Sequence, residues 1–329
     1  MNFKRLLTLF IGLACGVVYA FLMMLVIDSL HANVSIAYIF ALPIIMGAIP
    51  VLFATREQLQ SYLSFLLMPW LIVITFFCLS ILSGFEGMLC LVIIFGPFVL
   101  LGSLGAFISK LLSLRKGNNK TPLYCSLFLP LIILVIESNF KAKDQFNTVT
   151  TTVQVSANRE TVWNNIKNVK NIKPNEIKKH FIHMMGIPKP LNGQLDKEGV
   201  GAIRSITWQK GIKFQEIIYK WDEYKGFAYN IKVDPKSIPP TTLDEHVMIG
   251  GRYFDVIKGS YQIIPIDANK QIIKLTCEYR ITTNLNFYSK WWADAVLNDF
   301  NEMILEVIKK RSEDKNYGTI ATGKDAPDQ

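Results

Sequence analysis

The sequence predicts an α-helical membrane region of four or five transmembrane helices followed by an α+β domain. Four uncharged stretches of 21 to 24 residues lie within the first 110 residues, at 6–27, 34–54, 62–85 and 87–109. Each is longer than the roughly 20 apolar residues that cross a bilayer. After Glu137 the composition becomes that of a water-soluble domain, in which short strand patterns precede one long helical pattern.

Charge divides the chain at the same place. Up to Glu137 there are seven Lys and Arg and four Asp and Glu residues, against 28 and 22 from Ser138 onward. The resulting charge of +6 on the soluble half is spread along the sequence. A nucleic-acid binder more often carries a basic stripe, so we expect no nucleic-acid partner. The expected domains are a transmembrane region at 1–137, a soluble domain at 138–313 and a disordered tail at 314–329.

Loop charges predict the topology of a multi-pass protein of the cell membrane. Basic residues lie near the ends of alternate loops: Lys4, Arg5, Arg56, Lys110, Arg115, Lys116 and Lys120. The positive-inside rule therefore places the N-terminus in the cytoplasm. A fifth apolar segment, 121–136, is shorter and carries two prolines. If it spans, as we expect, the soluble domain is extracytoplasmic; if it lies in the membrane interface, the domain is cytoplasmic.

The four uncharged stretches hold no Asp, Glu, Lys, Arg or His. Proton and ion pathways through membranes use such residues, so this absence argues against ion coupling. We expect the membrane region to serve as a scaffold.

The soluble half shows one strand pattern, two short helical patterns, a run of strands and a final helix. Residues 149–155 alternate β-branched side chains, and Asn158 is a plausible N-cap for a helix at 159–169. A second short helix is expected at 175–183, and the Gly- and Pro-rich residues 184–199 predict a loop. Further strands are expected at 200–208, 212–223, 227–233, 253–257, 260–266 and 271–282, before a helix at 288–311.

This order of elements, with three short motifs, resembles the START-like superfamily, also called SRPBCC, and within it the polyketide cyclase/dehydrase-type proteins. The motifs are Val153-Gln154-Val155-Ser156-Ala157 with Glu160 and Trp163, GVGAIR from Gly199 to Arg204, and FQE from Phe214 to Glu216. The resemblance covers about residues 149–313 and leaves the membrane region unexplained. It implies a helix-grip fold, in which a curved antiparallel sheet holds the last helix around a hydrophobic cavity for lipids, sterols, polyketides or similar ligands.

Arg204 and Glu216 are the leading candidates for ligand binding. A hairpin whose odd-numbered loop is centred on Lys210 places them opposite each other on a mostly apolar face. There an Arg–carboxylate pair would orient the polar end of a ligand. The alternative is an exposed cross-strand pair worth well under about 1 kcal/mol. A register slip of one residue would break the pairing.

Several aromatic residues and one carboxylate complete the candidate binding site: Trp208, Trp221, Tyr229, Tyr253, Trp292 and Asp255. Aromatic residues on strands either line a cavity or simply form the core. Asp255 is either a buried carboxylate near the ligand or a residue that holds a turn.

Metal and cofactor chemistry find little support in the sequence. His180 and His183 are spaced i,i+3, but no convincing third ligand accompanies them. Cys277 is the only cysteine after Ser138, so no disulfide forms within the soluble domain. No nucleophile elbow, P-loop or dinucleotide fingerprint occurs in the required context. We therefore expect no metal, no cofactor and no identifiable catalytic residue.

The leading functional hypothesis is a membrane-anchored START-like domain that binds a hydrophobic small molecule or lipid. Tethering such a domain to the bilayer raises the effective concentration of poorly soluble ligands. One alternative is a membrane-bound enzyme of the polyketide cyclase/dehydrase type, with Arg204, Glu216 or Asp255 in acid–base roles. Another is a non-catalytic interaction or assembly module. The sequence leaves the ligand and the oligomeric state open.

Overall fold

The computed structural model describes residues 3–30, 35–60, 62–115, 121–234, 238 and 247–314. The chain divides into two compact units. The first contains Met1–Lys143 together with Thr283–Leu285, and the second contains Asp144–Thr282 and Asn286–Gln329. The expected disordered tail, apart from Asp314, lies outside the described residues.

The first unit consists of helices. They are α1 (Phe3–Ser29), α2 (Leu42–Phe53), α3 (Arg56–Gln60), α4 (Tyr62–Ser83), α5 (Met88–Arg115), α6 (Thr121–Ser126) and α7 (Leu129–Glu137). A π-helical turn, Ala37–Ala41, leads into α2. The fifth apolar segment is thus divided between α6 and α7, and α7 begins with a proline in its first turn, Pro130. Proline fits there because the first helical residues need no amide donor.

Two helices are long and apolar enough to cross a membrane by length and composition, over Leu6–Ser29 and Met88–Arg115. Shorter apolar helices cover Ala37–Phe53, Leu67–Ser83 and Leu123–Glu137. The expectation of four or five spans is therefore supported for two helices. Helix α5 also continues beyond Ser109, so Lys110, which is 4% exposed, lies inside a candidate span. The uncharged stretch 87–109 ends before this lysine, so the expectation that the spans hold no charged residue stays a prediction.

Glycines allow α2 and α5 to approach closely. A Cβ on Gly47 would lie 1.8 Å from the carbonyl oxygen of Gly102. A Cβ on Gly105 would lie 1.9 Å from the carbonyl oxygen of Ile44. Small residues at helix contacts are typical of membrane bundles, where backbone packing replaces the hydrophobic effect between helices.

The second unit is a seven-stranded antiparallel sheet with a long C-terminal helix. Its strands are β1 (Asp144–Val155), β2 (Pro190–Leu195), β3 (Ile203–Trp208), β4 (Lys213–Asp222), β5 (Gly226–Lys232), β6 (Phe254–Asp267) and β7 (Lys270–Thr282). Their order is β1-β7-β6-β5-β4-β3-β2. Its helices are α8 (Arg159–Lys167), α9 (Phe181–Met184) and α10 (Asn286–Glu313), and α10 packs on β1 and β7. The curled sheet and final helix fit the expected helix-grip arrangement.

Three local expectations are wrong. The second short helix is confined to Phe181–Met184, and the expected loop at 184–199 contains strand β2. This strand begins with Pro190 and contains Gly193, two residues that disguise a strand in sequence. Proline is tolerated there because it starts an edge strand, where no ladder hydrogen bond is lost. The two strands expected at 253–257 and 260–266 are one strand, β6.

The N-cap expectation is confirmed. Asn158 accepts a hydrogen bond from the Thr161 amide at 2.8 Å, at the start of α8. Such a cap satisfies a backbone donor that the first helical turn leaves free.

Alternation along the strands creates a buried inner face, which we define as the face of the sheet that α10 covers. Every second residue of β7 from Gln271 to Ile281 is buried. Those from Ile273 to Ile281 share one apolar core with Leu297, Val307 and Ile308 of α10. Residues two apart on a strand point to the same side, so the same alternation brings Arg204 and Glu216 inward.

Candidate ligand-binding site

The hairpin of β3 and β4 places Arg204 directly opposite Glu216. The connection is a short 3₁₀ turn, Gln209–Gly211, in which Lys210 has φ 59° and Gly211 has φ 81°. Positive φ at consecutive positions reverses the chain tightly, and glycine adopts it without strain. The register expected from sequence is therefore confirmed.

The two side chains form a buried ion pair. Arg204 Nη1 donates to Glu216 Oε2 at 3.0 Å, and the residues are 3% and 7% exposed. The alternative of an exposed surface pair is wrong. Burial disfavours the charged guanidinium, but Glu216, Tyr261 and Tyr229 together outweigh it, so the pKa of Arg204 lies above its usual value. Burial raises the pKa of the Glu216 carboxyl, and the guanidinium opposes that rise.

Aromatic rings surround the guanidinium. Its central carbon lies 5.6 Å from the ring centre of Tyr261 and 5.8 Å from that of Phe227. Both distances are within the range of a cation–π contact, which strengthens in an environment without water. The aromatic contact therefore helps to hold a charge in the interior.

Strand β2 supplies a further wall beside the guanidinium. A Cβ on Gly193 would lie 3.2 Å from Arg204 Nη2 and 3.3 Å from its Nε. A side chain at this position would be a tight contact, so the guanidinium would have to shift by a few tenths of an ångström. Gly193 was not predicted as a site residue because its segment was expected to form a loop.

Neutral polar groups extend the site along the inner face towards α10. The Tyr229 ring stands over Gly259, where an added Cβ would lie 2.3 Å from the tyrosine hydroxyl oxygen. Gly259 pairs with Cys277 on β7, and the Cys277 thiol donates to Asn301 Oδ1 of α10 at 3.4 Å. Burial raises the pKa of Tyr261 and of Cys277 to about 12 each, and the pKa of Tyr229 well above its usual value. These groups remain protonated at neutral pH.

Two buried donors, one on β3 and one on α10, lack a hydrogen-bond partner among the described residues. Within the described part of the chain, the buried atoms Arg204 Nε and Asn301 Nδ2 make no hydrogen bond. An unpaired buried donor costs about 1–3 kcal/mol. Such donors are the groups that a ligand oxygen or an ordered water would satisfy.

The candidate aromatic residues make separate contacts. Tyr229 lies near the ion pair, and Trp208 packs against Phe300 of α10 with ring centres 5.0 Å apart. Trp221 stacks at 5.9 Å on Phe227, the ring that contacts the Arg204 guanidinium. Tyr253 lies beneath the Arg252 guanidinium, and Trp292 packs beside Trp291. Their role in ligand binding stays a prediction.

Asp255 and the histidines lie apart from the ion pair. Asp255 accepts from the Gly250 amide at 2.7 Å and so holds the turn before β6, while burial raises the pKa of its carboxyl. His180 Nδ1 lies 3.0 Å from Asp299 Oδ1, and His183 Nε2 lies 3.1 Å from the Met303 sulfur. Among the described residues, no group of three His, Cys, Asp or Glu side chains is placed to hold a metal ion.

Sequence reasoning missed Gly193, Phe227, Tyr261, Cys277 and Asn301 as members of this site. Phe227 and Tyr261 occupy inward positions of neighbouring strands, which strand alternation could have revealed. Asn301 interrupts an apolar stripe of α10 formed with Leu297 and Ile304, a signal that was present in the sequence.

Comparison with known proteins gives structural likenesses at low sequence identity. No family model matches the chain, and no curated protein matches it. The Zhui aromatase/cyclase from Streptomyces sp. R1128 is 14% identical, with 55% of this chain and 100% of that chain covered and a TM-score of 0.34. Norcoclaurine synthase from Thalictrum flavum, in complex with dopamine and hydroxybenzaldehyde, is 13% identical, with 55% and 90% covered and a TM-score of 0.32.

A START superfamily protein from Mycobacterium smegmatis is 11% identical, with 50% of this chain and 97% of that chain covered and a TM-score of 0.32. TM-scores of this size carry no conclusion about the present chain. Its fold description rests on the seven-stranded sheet and the C-terminal helix.

Proposed function

We propose that this protein is a membrane-anchored binding protein whose α+β domain accommodates a hydrophobic small molecule or lipid. The observation that carries the proposal is the guanidinium of Arg204, which is buried among aromatic rings with its Nε unpaired. Replacing a buried ion pair by apolar residues is often neutral or stabilising, so stability alone is a weak reason for such a pair. The buried Arg204–Glu216 pair, in which Arg204 Nε has no hydrogen-bond partner within the described part of the chain, is therefore consistent with a role in ligand binding.

The chemistry of this site favours an apolar ligand with at least one oxygen acceptor. Aromatic and aliphatic side chains would surround the apolar body, while Arg204 and Asn301 would donate to oxygen atoms. Ligand sites commonly combine apolar walls with a few polar groups that fix orientation. A carbonyl, carboxyl or hydroxyl group would satisfy the unpaired donors and recover their desolvation cost.

The proposed anchor is the first unit, with four or five spans in the cell membrane. The two helices that meet the length and composition of a span support it, as do the three shorter apolar helices. With five spans and a cytoplasmic N-terminus, the binding domain is extracytoplasmic. Lys141 and Lys143, which follow the fifth segment, bias the loop charges in the opposite direction, so this side needs a direct test.

That test is a cysteine at Glu223, an exposed position between β4 and β5, labelled on whole cells with a membrane-impermeant maleimide. Labelling of intact cells, above the signal from the native cysteines, supports the extracytoplasmic domain. Labelling only after permeabilisation means that the fifth segment does not span.

Ligand binding is tested on the full chain, extracted in detergent and analysed by native mass spectrometry and lipid extraction. The wild-type chain should carry a copurified hydrophobic molecule, and the double variant Arg204→Met/Glu216→Leu should lose it. The matched control is Lys258→Met/Glu278→Leu, which removes an exposed cross-strand pair from β6 and β7 of the same sheet. Equal retention by both double variants would contradict the site assignment, and no bound molecule in the wild type would favour an interaction or assembly module.

An enzyme acting on the same ligand is the second candidate function. Burial raises the pKa of the Glu216 carboxyl, and a carboxyl whose pKa lies nearer neutrality is better suited to proton transfer. If Glu216 transfers a proton during turnover, the molecule recovered from Glu216→Gln should differ in structure, by mass or by chromatographic retention, from that recovered from the wild type. An identical molecule from both would leave binding as the function.

A further inference from the structure

The most exposed aromatic side chains of the second unit lie close in sequence to the points where the chain passes between the two units. Phe146, Phe287 and Trp291 are 59%, 71% and 63% exposed. Every other aromatic side chain described in that unit is less than half exposed. We call these three residues the junction patch.

The junction patch belongs to one end of the sheet. Asp144, the first residue of β1, pairs with Thr282, the last residue of β7, and the Thr282 hydroxyl donates to Asp144 Oδ1 at 2.6 Å. Phe146 lies two residues into β1. Phe287 and Trp291 are four residues apart at the start of α10, so they share one face of that helix.

Only a short segment of chain connects the helical unit to this end of the sheet. Helix α7 ends at Glu137 and β1 begins at Asp144, so six residues connect them. Six extended residues reach at most about 20 Å. The connection carries the exposed residues Phe140, Lys141 and Lys143.

We infer that the junction patch rests on the surface of the bilayer that holds the first unit. Indole and phenyl rings with lysines nearby are the residues that favour the boundary between lipid tails and headgroups. A bilayer surface would cover aromatic area that is otherwise in contact with water. The inference rests on the proposed membrane anchor.

Tryptophan quenching in the reconstituted full chain tests this inference. The protein is placed in phosphatidylcholine vesicles whose acyl chains carry bromine, which quenches tryptophans that contact lipid. Three single variants identify the source of the quenched emission: Trp291→Phe for the junction patch, Trp70→Phe for the membrane helix α4, and Trp163→Phe for the buried core of the second unit. Phenylalanine keeps an aromatic ring at each position while removing the indole signal.

The expected result is that Trp291→Phe and Trp70→Phe each remove lipid-quenched emission, whereas Trp163→Phe removes only unquenched emission. If Trp70→Phe reduces the quenched signal and Trp291→Phe does not, the anchor stands and the junction patch does not touch lipid. If neither variant reduces it, the membrane anchor itself fails. If Trp291 is shielded from both brominated lipid and acrylamide, and the shielding weakens as protein is diluted in lipid, a second copy covers the patch and the inference is overturned.

Discussion

The same sheet carries two cross-strand ion pairs with opposite surroundings. Arg204–Glu216 joins β3 and β4 at 3.0 Å, with side chains 4% and 9% exposed. Lys258–Glu278 joins β6 and β7 at 3.8 Å, with side chains 43% and 38% exposed. In each pair, the two residues stand directly opposite one another in the strand register. One pair points to the inner face of the sheet, and the other points to the face in contact with water.

The surroundings set what each pair contributes. Water screens the exposed pair, and such pairs contribute about 0–1 kcal/mol. The buried pair has given up its hydration, so each partner depends on the other. Lys258 and Gly259 are consecutive on β6, and they show the same contrast within one strand: the lysine is exposed, while the glycine lies beneath the Tyr229 ring.

The largest expected effect is the removal of one buried partner. Glu216→Ala leaves the guanidinium uncompensated and should lower the free energy of unfolding by about 3–5 kcal/mol. In a unit of this size the melting temperature should fall by roughly 10 °C. The matched variant Glu278→Ala should cost under about 1 kcal/mol. Five of the six tryptophans follow Asp144, so tryptophan emission of the full chain in detergent reports the melting of this unit. If Glu216→Ala and Glu278→Ala lowered the melting temperature equally, the expected difference between the buried and the exposed pair would be wrong.

A methyl group at Gly259 tests the inner face next. The added carbon would lie 2.3 Å from the Tyr229 hydroxyl oxygen, so the ring must move within a packed interior. Overpacking of this kind costs about 1–3 kcal/mol. Lys258→Ala, at the neighbouring exposed position, should change stability by less than about 0.5 kcal/mol. Thermal melting of both variants checks this, and Tyr229→Leu combined with Gly259→Ala should restore part of the loss. An unchanged melting temperature for Gly259→Ala alone would place the Tyr229 ring elsewhere.

Alkaline pH should lower the stability of the second unit because of the buried Cys277 thiol. Burial raises the pKa of Cys277 to about 12, whereas an unfolded thiol ionises near 9. The unfolded state therefore loses its proton first, and stability should fall as pH rises from 9 towards 12. Ionisation of one such group lowers the free energy of unfolding by up to about 1.4 kcal/mol per pH unit in that window.

Cys277→Ser is the matched variant, because it removes the thiol and keeps a small polar side chain. Its melting temperature should fall less steeply between pH 9 and 11 than that of the wild type. Parallel slopes would mean that Cys277 ionises equally well in the folded state.

The elements that the sequence predicted correctly are those with strong local signals. Asn158 as an N-cap and the hairpin around Lys210 depend on neighbours in sequence, and both agree with the structure. Strand β2 and the position of Gly193 beside Arg204 depend on contacts with β3. An edge strand that contains Pro and Gly lacks a local pattern, so only the assembled sheet reveals it.

The residues of the candidate site likewise divide into those that local sequence patterns predicted and those that depend on contacts between distant elements. Strand parity was enough to place Arg204 and Glu216 opposite each other, but parity alone left open whether their face was buried or exposed. Burial depends on α10, which follows more than 60 residues later in the chain. The contact of Cys277 with Asn301 has the same origin, since a polar residue on a helical stripe gains meaning only from the strand it faces.

The smallest expected effect comes from removing both partners of each pair. Arg204→Met/Glu216→Leu replaces the buried charges with apolar side chains, and such replacements are often neutral or stabilising. We expect its melting temperature to lie close to that of the wild type and well above that of Glu216→Ala. Lys258→Met/Glu278→Leu should also change stability by under about 1 kcal/mol, because an exposed pair contributes little. The two double variants would then have similar stability while their single variants differ, and this gap measures the cost of an uncompensated charge on the inner face. If Arg204→Met/Glu216→Leu melts as early as Glu216→Ala, the loss comes from packing around the site and the electrostatic account of the pair is wrong.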